Sequence, residues 1–212
     1  MLIKVCGLTR AQDVAACLEL GIDLTGFIFH NPSPRCIKPE QAAALPRGRA
    51  MRVGVFVHQS PEEVLHIMDQ GGLDLAQLHG SYSLSDCRQI GPERVIKTFW
   101  PKRHAEAVSF QHELDTYAHA CRYVLLDSGI SGGGHGQLTH APWLSEVIFP
   151  CPWILAGGLG PDSALVQVLN LKPDGIDLNS GVESAPGIKD AGRIHRTLQD
   201  IKSQAQHGDK AC

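Results

Sequence analysis

The chain has 212 residues, a formal net charge of −3, 43% hydrophobic residues and 19% charged residues. These values are typical of one globular domain with a buried core, and no run of positive charge predicts binding to nucleic acid. No stretch approaches the roughly 18 apolar residues of a membrane span, and no charged segment followed by a long apolar one opens the chain. We therefore expect a cytoplasmic protein without a membrane partner.

The cysteines and histidines form none of the usual metal-site spacings. The seven cysteines are an odd number without a CxxC pair, and the eleven histidines form no HExxH. Scattered cysteines argue against a disulfide framework or a zinc cluster and are typical of a reducing cytosol. We expect no metal site and interpret most of the cysteines as small apolar core residues.

Short apolar runs recur along the whole chain and predict strands. The eight predicted strands cover 2–6, 24–29, 52–57, 75–79, 95–100, 123–127, 153–158 and 175–180. Segments with helical signals lie between them. The clearest covers 60–72, where Ser60 is typical of an N-cap, Pro61 of a first helical residue and Glu63 of a capping-box partner.

Helical segments are predicted in other gaps as well. Thr9 and Gln12 predict a second capping box, for a helix that ends at Gly21. The remaining helical segments cover 39–45, 102–119, 141–149, 161–170 and 187–202.

The alternation of strands and helices predicts a parallel sheet, because each return to the same sheet edge needs a crossover. Eight such units favour a single-domain (β/α)₈ TIM barrel over residues 1–202, with a polar C-terminal tail over 203–212. The alternative is a doubly wound open sheet. A dinucleotide-binding sheet of that kind carries GxGxxG after its first strand, and GLTRAQ at 7–12 lacks it.

Polar side chains stand where several predicted strands end. Cys6, His79, Asp127 and Asp177 lie at the ends of the first, fourth, sixth and eighth strands, and Arg35 follows the second. A single residue of this kind is usually structural. Because the active site of a TIM barrel lies at the carboxyl ends of its strands, the convergence of all five favours a site there.

Glycine-rich turns follow the last strands. Gly157 and Gly158 follow the seventh strand, and Ser180 and Gly181 follow the eighth. Successive backbone N–H groups can bind a phosphate, and the loops after strands seven and eight are the usual phosphate site of a barrel. We therefore infer a phosphorylated ligand.

These residues occur in motifs of a known family. KVCGLTR at 4–10, SPR at 33–35, QLHG at 77–80, LAGGL at 155–159 and DLNSGVESAPGIKD at 177–190 follow one another in the family's order. The chain thus resembles the phosphoribosylanthranilate isomerases. The resemblance implies a TIM barrel that converts N-(5′-phosphoribosyl)anthranilate into carboxyphenylamino-deoxyribulose phosphate by an Amadori rearrangement, in tryptophan biosynthesis and without a cofactor.

The resemblance also implies roles for individual residues. Cys6 is the expected general base and Asp127 the expected general acid, while Arg35 is expected to hold the anthranilate carboxylate. His79 and Asp177 are expected to line the sugar region. The phosphate is expected on the backbone of Gly157, Gly158, Ser180 and Gly181. The expected partner is this small phosphorylated substrate, and the expected assembly is a monomer or a homodimer.

Two positions depart from the family pattern. The glycine loop after Asp127 often reads GGTG in the family and reads GGHG here, with His135 in the third position. Ser163 stands where the family often has asparagine, and serine also suits the start of a helix. Neither departure affects the expected acid–base pair.

Lys4 lies two residues before Cys6 and therefore faces the same side of the first strand. An unpaired ammonium inside the barrel is costly. We hypothesise that Lys4 pairs with an inward carboxylate and lowers the pKa of the Cys6 thiol toward the thiolate. The alternative is that Lys4 only neutralises carboxylates of the barrel interior.

Three other functions are considered. The first is a histidine-pathway isomerase of the same fold. A chain that resembles those enzymes is expected to carry aspartate as the base on its first strand, so Cys6 argues against this function. A non-catalytic phosphosugar binder is expected to lack part of the acid–base pair. A redox protein built on Cys6 has no nearby resolving cysteine in the sequence.

Overall fold

A computed structural model describes residues 1–127, 142–161, 163 and 170–208. Eight parallel strands close into a barrel in chain order, each paired with the next and β8 with β1. All eight predicted strands are confirmed. Their bounds are Leu2–Val5 (β1), Leu24–Ile28 (β2), Met51–Phe56 (β3), Leu75–Leu78 (β4), Val95–Phe99 (β5), Tyr123–Asp127 (β6), Trp153–Ala156 (β7) and Gly175–Leu178 (β8).

Helices surround the barrel. Their bounds are Ala11–Glu19 (α1), Pro39–Ala44 (α2), Pro61–Gly71 (α3), Leu84–Ile90 (α4), Ala107–Thr116 (α5) and Ala191–Gly208 (α6). A short antiparallel hairpin of Glu183–Ala185 (β9) and Ile188–Lys189 (β10) lies between β8 and α6. Within the described residues, none of the helices combines the length and apolar character that crossing a bilayer requires.

The predicted signals of α3 are all confirmed. The Ser60 hydroxyl accepts a hydrogen bond from the backbone N–H of Glu63, and the Glu63 carboxylate accepts one from the N–H of Ser60. Gly72 ends the helix in the left-handed conformation, with φ of 56°. Local chemistry therefore sets both ends of this helix.

The capping box predicted at Thr9 is wrong. Arg10 occupies the N-cap of α1 without a side-chain cap, and its guanidinium instead binds the Asp13 carboxylate at 2.9 and 2.5 Å. The Thr9 hydroxyl donates to the carbonyl of Gly187. Tertiary contacts with the β9–β10 hairpin therefore take the place of the local cap, since Asp13 also accepts from the backbone N–H of Lys189.

Other helix predictions need correction in their bounds. In 142–149, the described part of the predicted segment 141–149, the helix is a short 3₁₀ helix, Pro142–Glu146. The hairpin takes the first residues of the predicted 187–202 helix, and α6 continues through the predicted tail to Gly208. Helix α4 was not predicted, although Ser83 caps it. The predicted 161–170 helix lies largely outside the described residues.

The apolar core formed by the described residues has two parts. The larger part lies between the barrel and its helices and contains Val5, Phe27, Phe56 and Leu126. The smaller part fills the barrel interior and consists of Leu24, Val53, Leu75, Ile96, Tyr123, Leu125 and Ile154. Successive strand residues face opposite sides, so the barrel is a packed scaffold that presents the residues at its strand ends to one mouth.

Candidate active site

A cavity of about 1170 Å³ opens at the carboxyl ends of the strands. Eight of the nine predicted site residues line it: Cys6, Arg35, His79, Asp127, Gly157, Gly158, Asp177 and Ser180. The fold therefore brings together residues from six different strands or the loops that follow them. A concave site with few convergent polar groups is typical of small-molecule binding.

Cys6 directly follows β1 and is 4% exposed. Its backbone N–H donates to the carbonyl of Leu178 at 2.8 Å, which continues the pairing of β1 with β8. Gly26 on β2 leaves room for the thiol, because a Cβ there would lie 2.9 Å from the Cys6 Sγ. The local backbone therefore fixes the direction of the thiol into the mouth.

Lys4 forms the predicted pair with an inward carboxylate. Its Nζ lies 2.7 Å from Oδ2 of Asp177, and the Lys4 side chain is wholly buried. The two residues are register partners on β1 and β8. Burial lowers the pKa of Lys4, but the attraction of Asp177 and Cys6 outweighs it and leaves that pKa above its ordinary value. Lys4 is therefore a cation one layer below the thiol.

The pKa of the Cys6 thiol is raised in the free site. Burial is the main cause, and Asp177 acts in the same direction. Lys4 opposes the shift most strongly, and Lys189 opposes it more weakly. The hypothesised effect of Lys4 thus has the expected sign, but burial exceeds it while no ligand neutralises the site.

Asp127 ends β6 and is 7% exposed. Its Oδ2 lies 3.4 Å from Nε2 of His79, which follows β4. Burial lowers the pKa of His79, and Lys4 contributes in the same direction, while Asp127 opposes the shift. The lowered pKa favours the neutral imidazole, so its Nε2 contacts Asp127 at 3.4 Å without the charge of an ion pair.

Arg35 is held by a carboxylate that the sequence analysis did not assign. Its Nε and Nη2 donate to the two oxygens of Glu183 at 2.8 and 2.6 Å. Gly7 lets the arginine pass, because a Cβ there would lie 2.6 Å from the Arg35 Cδ and its φ is +74°. Arg35 itself lines the cavity. Arg35 is thus pre-oriented for a carboxylate ligand.

Lys189 completes this network. Its Nζ lies 2.8 Å from Oε1 of Glu183 and 2.9 Å from Oδ1 of Asn179. Burial raises the pKa of Glu183, but the hydrogen bonds from Arg35 and Lys189 outweigh it and lower that pKa. The motif DLNSGVESAPGIKD contains Glu183 and Lys189, but its letters alone do not show which acid binds which cation.

The loops after β7 and β8 meet backbone to backbone. A Cβ on Gly181 would lie 2.2 Å from the carbonyl oxygen of Leu159, and one on Gly160 would lie 2.3 Å from that of Gly181. Gly157 and Gly158 have φ of 126° and 69°. Glycine is therefore required at this junction. Gly181 packs within it, whereas Gly157, Gly158 and Ser180 line the cavity.

Of the two departures from the family pattern, Ser163 belongs to the described residues. Ser163 Oγ donates to the carbonyl of Gly160 at 2.7 Å and accepts from its N–H at 3.1 Å, so the serine fixes the end of the β7 loop. His135 and the glycine-rich loop at 129–136 lie outside the described residues. Within the described residues, no group of three or more histidine, cysteine or acidic side chains is arranged to hold a metal ion.

The comparisons with known proteins identify the family. The family model described as N-(5′-phosphoribosyl)anthranilate (PRA) isomerase matches residues 3–200. The chain belongs to the phosphoribosylanthranilate isomerase family. An enzyme of that name from Desulfovibrio desulfuricans is 46% identical over 93% of this chain and 94% of its own length. One from Maridesulfovibrio salexigens is 43% identical over 92% of this chain and 95% of its own.

Solved structures of isomerases agree with the fold. The Thermus thermophilus enzyme has a TM-score of 0.82 and 34% identity, and the alignment covers 96% of this chain and 99% of that one. An isomerase in complex with reduced 1-(o-carboxyphenylamino)-1-deoxyribulose 5-phosphate has a TM-score of 0.76 and 30% identity, over 96% of this chain and 100% of that one. The barrel prediction and the family resemblance are both confirmed.

Proposed function

We propose that this chain isomerises N-(5′-phosphoribosyl)anthranilate to 1-(2-carboxyphenylamino)-1-deoxyribulose 5-phosphate, with Cys6 as general base and Asp127 as general acid. The observation that carries the proposal is the position of these two groups. They lie at the ends of β1 and β6, separated in the closed barrel by β7 and β8, and both line one cavity. A substrate lying across the mouth can therefore contact both groups at once.

The first step opens the ribose ring. Asp127 donates a proton to the ring oxygen while the lone pair of the anthranilate nitrogen forms a C=N bond to C1′ and the C1′–O bond breaks. The product of this step is a protonated Schiff base with a free C4′ hydroxyl. His79, whose Nε2 lies 3.4 Å from Oδ2 of Asp127, keeps that carboxyl directed at the cavity.

The second step moves the C2′ proton. Cys6 removes it, and the C2′–H electron pair forms a C1′=C2′ bond while the C=N electrons return to nitrogen. The enolamine becomes the ketone when the C2′ hydroxyl loses its proton and C1′ gains one. The positive charge of the Schiff base favours the thiolate form of Cys6, and it adds to the effect of Lys4 and Lys189.

Binding groups flank this chemistry. We propose that Nη1 of Arg35 binds the anthranilate carboxylate, since Glu183 already orients the guanidinium. The backbone around Gly157, Gly158, Ser180 and Gly181 is the proposed phosphate site. His79 and Asp177 line the sugar region between these two ends. No cofactor enters any step of this scheme.

The test follows the loss of anthranilate-type fluorescence when the enzyme is added to phosphoribosylanthranilate. We expect turnover by the wild type, and we expect Cys6→Ala and Asp127→Asn each to lower kcat by about 10²-fold or more. Cys151→Ala is the matched control, because that thiol lies just before β7, at the opposite end of the barrel. Unimpaired turnover in either site variant overturns its assigned role.

We also propose a single barrel domain that acts in the cytoplasm as a monomer or homodimer, without a nucleic-acid or membrane partner. A Thermotoga maritima isomerase is described as dimeric, and monomers generated from it have a TM-score of 0.78 and 29% identity to this chain. Light scattering that gives a mass above two chains argues against the proposed assembly.

A further inference from the structure

Buried polar atoms without partners are concentrated at the cavity. Among the described residues, six buried side-chain nitrogen or oxygen atoms have no hydrogen-bond partner. Five of them belong to residues that line the cavity: His30 Nδ1, Gln77 Oε1, Tyr82 OH, Trp100 Nε1 and Asp177 Oδ1. Leaving a buried donor or acceptor unpaired is costly, so these atoms indicate contacts that a ligand completes.

Gln77, like Asp177, has a second polar side-chain atom that already has a defined partner. It lies on β4 and is 3% exposed. Its Nε2 lies 3.5 Å from Nδ1 of His79, which faces the same side of the strand two residues later. Its Oε1 is unpartnered. One end of the amide thus contacts the histidine, while the other is free for a ligand.

The contact at Nδ1 favours one of the two positions for the ring proton of His79. A neutral imidazole has one N–H and one acceptor nitrogen. With its Nε2 turned toward the ring, the Gln77 amide can only donate to Nδ1, so this contact at 3.5 Å favours the ring proton on Nε2, the nitrogen that is 3.4 Å from Oδ2 of Asp127. The Nε2–H of His79 then faces the Asp127 carboxylate. Trp100 packs edge-on against the imidazole, with ring centroids 5.3 Å apart, and limits its rotation.

The charges around His79 keep the ring in this neutral form. Burial is the main cause of its lowered pKa, and Lys4, Lys97 and Arg103 act in the same direction, while Asp127 alone opposes them. The cations come from β1, from β5 and from the loop after β5. Because the His79 ring is neutral, its contact with Asp127 depends on which ring nitrogen carries the proton and not on a charge of the ring.

We infer that Gln77 is a positioning residue that links the substrate to the general acid. Its amide nitrogen holds His79 in the Nε2–H tautomer, and His79 in turn orients the Asp127 carboxyl that delivers the proton. Its Oε1 accepts a hydrogen bond from a sugar hydroxyl of the substrate. The inference rests on the proposed role of Asp127, and its first test does not use turnover.

The first test is the tautomer in the free wild-type protein. Long-range ¹H–¹⁵N correlation spectra of ¹⁵N-histidine-labelled protein distinguish the two neutral forms, and His79→Gln identifies the signal by its loss. We expect the Nε2–H form of His79 at pH 7. The Nδ1–H form, or a protonated ring, would overturn the inference whether or not the chain turns over substrate.

The second test exchanges the donor for an acceptor. Gln77→Glu keeps an oxygen for the sugar but offers a carboxylate to Nδ1, so we expect the Nδ1–H or the protonated form and a fall in kcat of tenfold or more, with a smaller change in KM. Gln77→Met removes both contacts, so both kcat and KM should worsen. Gln199→Glu adds the same charge at an exposed position of α6 and should change neither.

The outcomes separate the two proposals. If Gln77→Glu and Gln77→Met keep the wild-type tautomer and kcat, the role of Gln77 is refuted. If Asp127→Asn retains full turnover while His79 has the expected tautomer, Asp127 is not the general acid. The contact between Gln77 and His79 is then confirmed, but its role in catalysis is refuted. A merely structural role for Gln77 would lower stability without changing the histidine spectrum.

Discussion

Replacing Lys4 by methionine tests the buried charge pair beneath the Cys6 thiol. The pair is 2.7 Å long, and its side chains are 0% and 6% exposed. At an effective dielectric constant of ~20, two unit charges at that distance attract by about 6 kcal/mol before the cost of desolvation. Methionine fills a similar volume but leaves Asp177 without a counter-charge. We expect the free energy of unfolding to fall by about 3–5 kcal/mol at pH 7.

The pH dependence of this loss has a definite sign. Burial raises the pKa of Asp177 above its ordinary value of 3.8, and Lys4 is the main group that opposes the rise. In Lys4→Met the folded carboxyl therefore binds a proton more tightly than the unfolded one. Folding then takes up protons, so the deficit in stability shrinks as the pH falls from 7 toward 5.

A double-mutant cycle is the assay. Urea unfolding of the wild type, Lys4→Met, Asp177→Asn and the double variant gives the coupling energy. We expect each single variant to be strongly destabilised and the double variant to lose less stability than either one, because no uncompensated charge is left. Additive losses would refute the pairing. A deficit that grows on acidification would refute the assigned charges.

The same variant tests the tuning of Cys6. Lys4 is the strongest group that lowers the pKa of the thiol. In Lys4→Met we expect the pH at which Cys6 alkylation is half-maximal to rise, as followed by mass spectrometry of the peptide that contains Cys6. If the pH of half-maximal alkylation does not change, Lys4 only neutralises carboxylates of the barrel interior.

Three further outcomes are expected. Arg35→Lys keeps the charge but loses the planar guanidinium that Glu183 holds, so KM for the substrate should rise about tenfold with a smaller change in kcat. An unchanged KM would contradict the assigned contact between Arg35 and the substrate carboxylate. The pKa of Glu183 is lowered, so this carboxylate stabilises the fold above pH 4.5, its ordinary pKa, and the stabilisation is lost as the pH falls further. In urea unfolding, the stability of Glu183→Gln should therefore depend less on pH in this acidic range than that of the wild type. The same pH dependence in both proteins would contradict the network of Arg35, Glu183 and Lys189. Gly181→Ala would place a Cβ 2.2 Å from the Leu159 carbonyl oxygen, so the melting temperature should fall and KM should rise; wild-type values would show that the loop junction is not as close as described.

The barrel could be predicted because its signals are local. Each strand is a short apolar run, and α3 carries its own cap and stop, Ser60 and Gly72. The cavity residues followed from one topological rule, since Cys6, His79, Asp127 and Asp177 all stand where a strand ends. Lys4 could be placed inside the barrel because strand side chains alternate.

The remainder depends on contacts between distant segments. The start of α1 is set by Asp13, whose carboxylate binds Arg10 and the backbone of Lys189, so the local capping signal at Thr9 was misleading. The Arg35–Glu183 pair joins residues far apart in the chain. The tautomer of His79 depends on the direction of the Gln77 amide, which no residue pattern specifies.

The most direct test of the central claim, a base at Cys6 and an acid at Asp127, is a kinetic isotope effect. Deuterium at C2′ of the substrate slows only the step in which the C2′–H bond breaks. We expect a full primary isotope effect on kcat for Cys6→Ser, since proton removal then limits the rate, and a suppressed one for Asp127→Asn, since ring opening then limits it. The reverse pattern, or equal effects in both variants, would contradict the account.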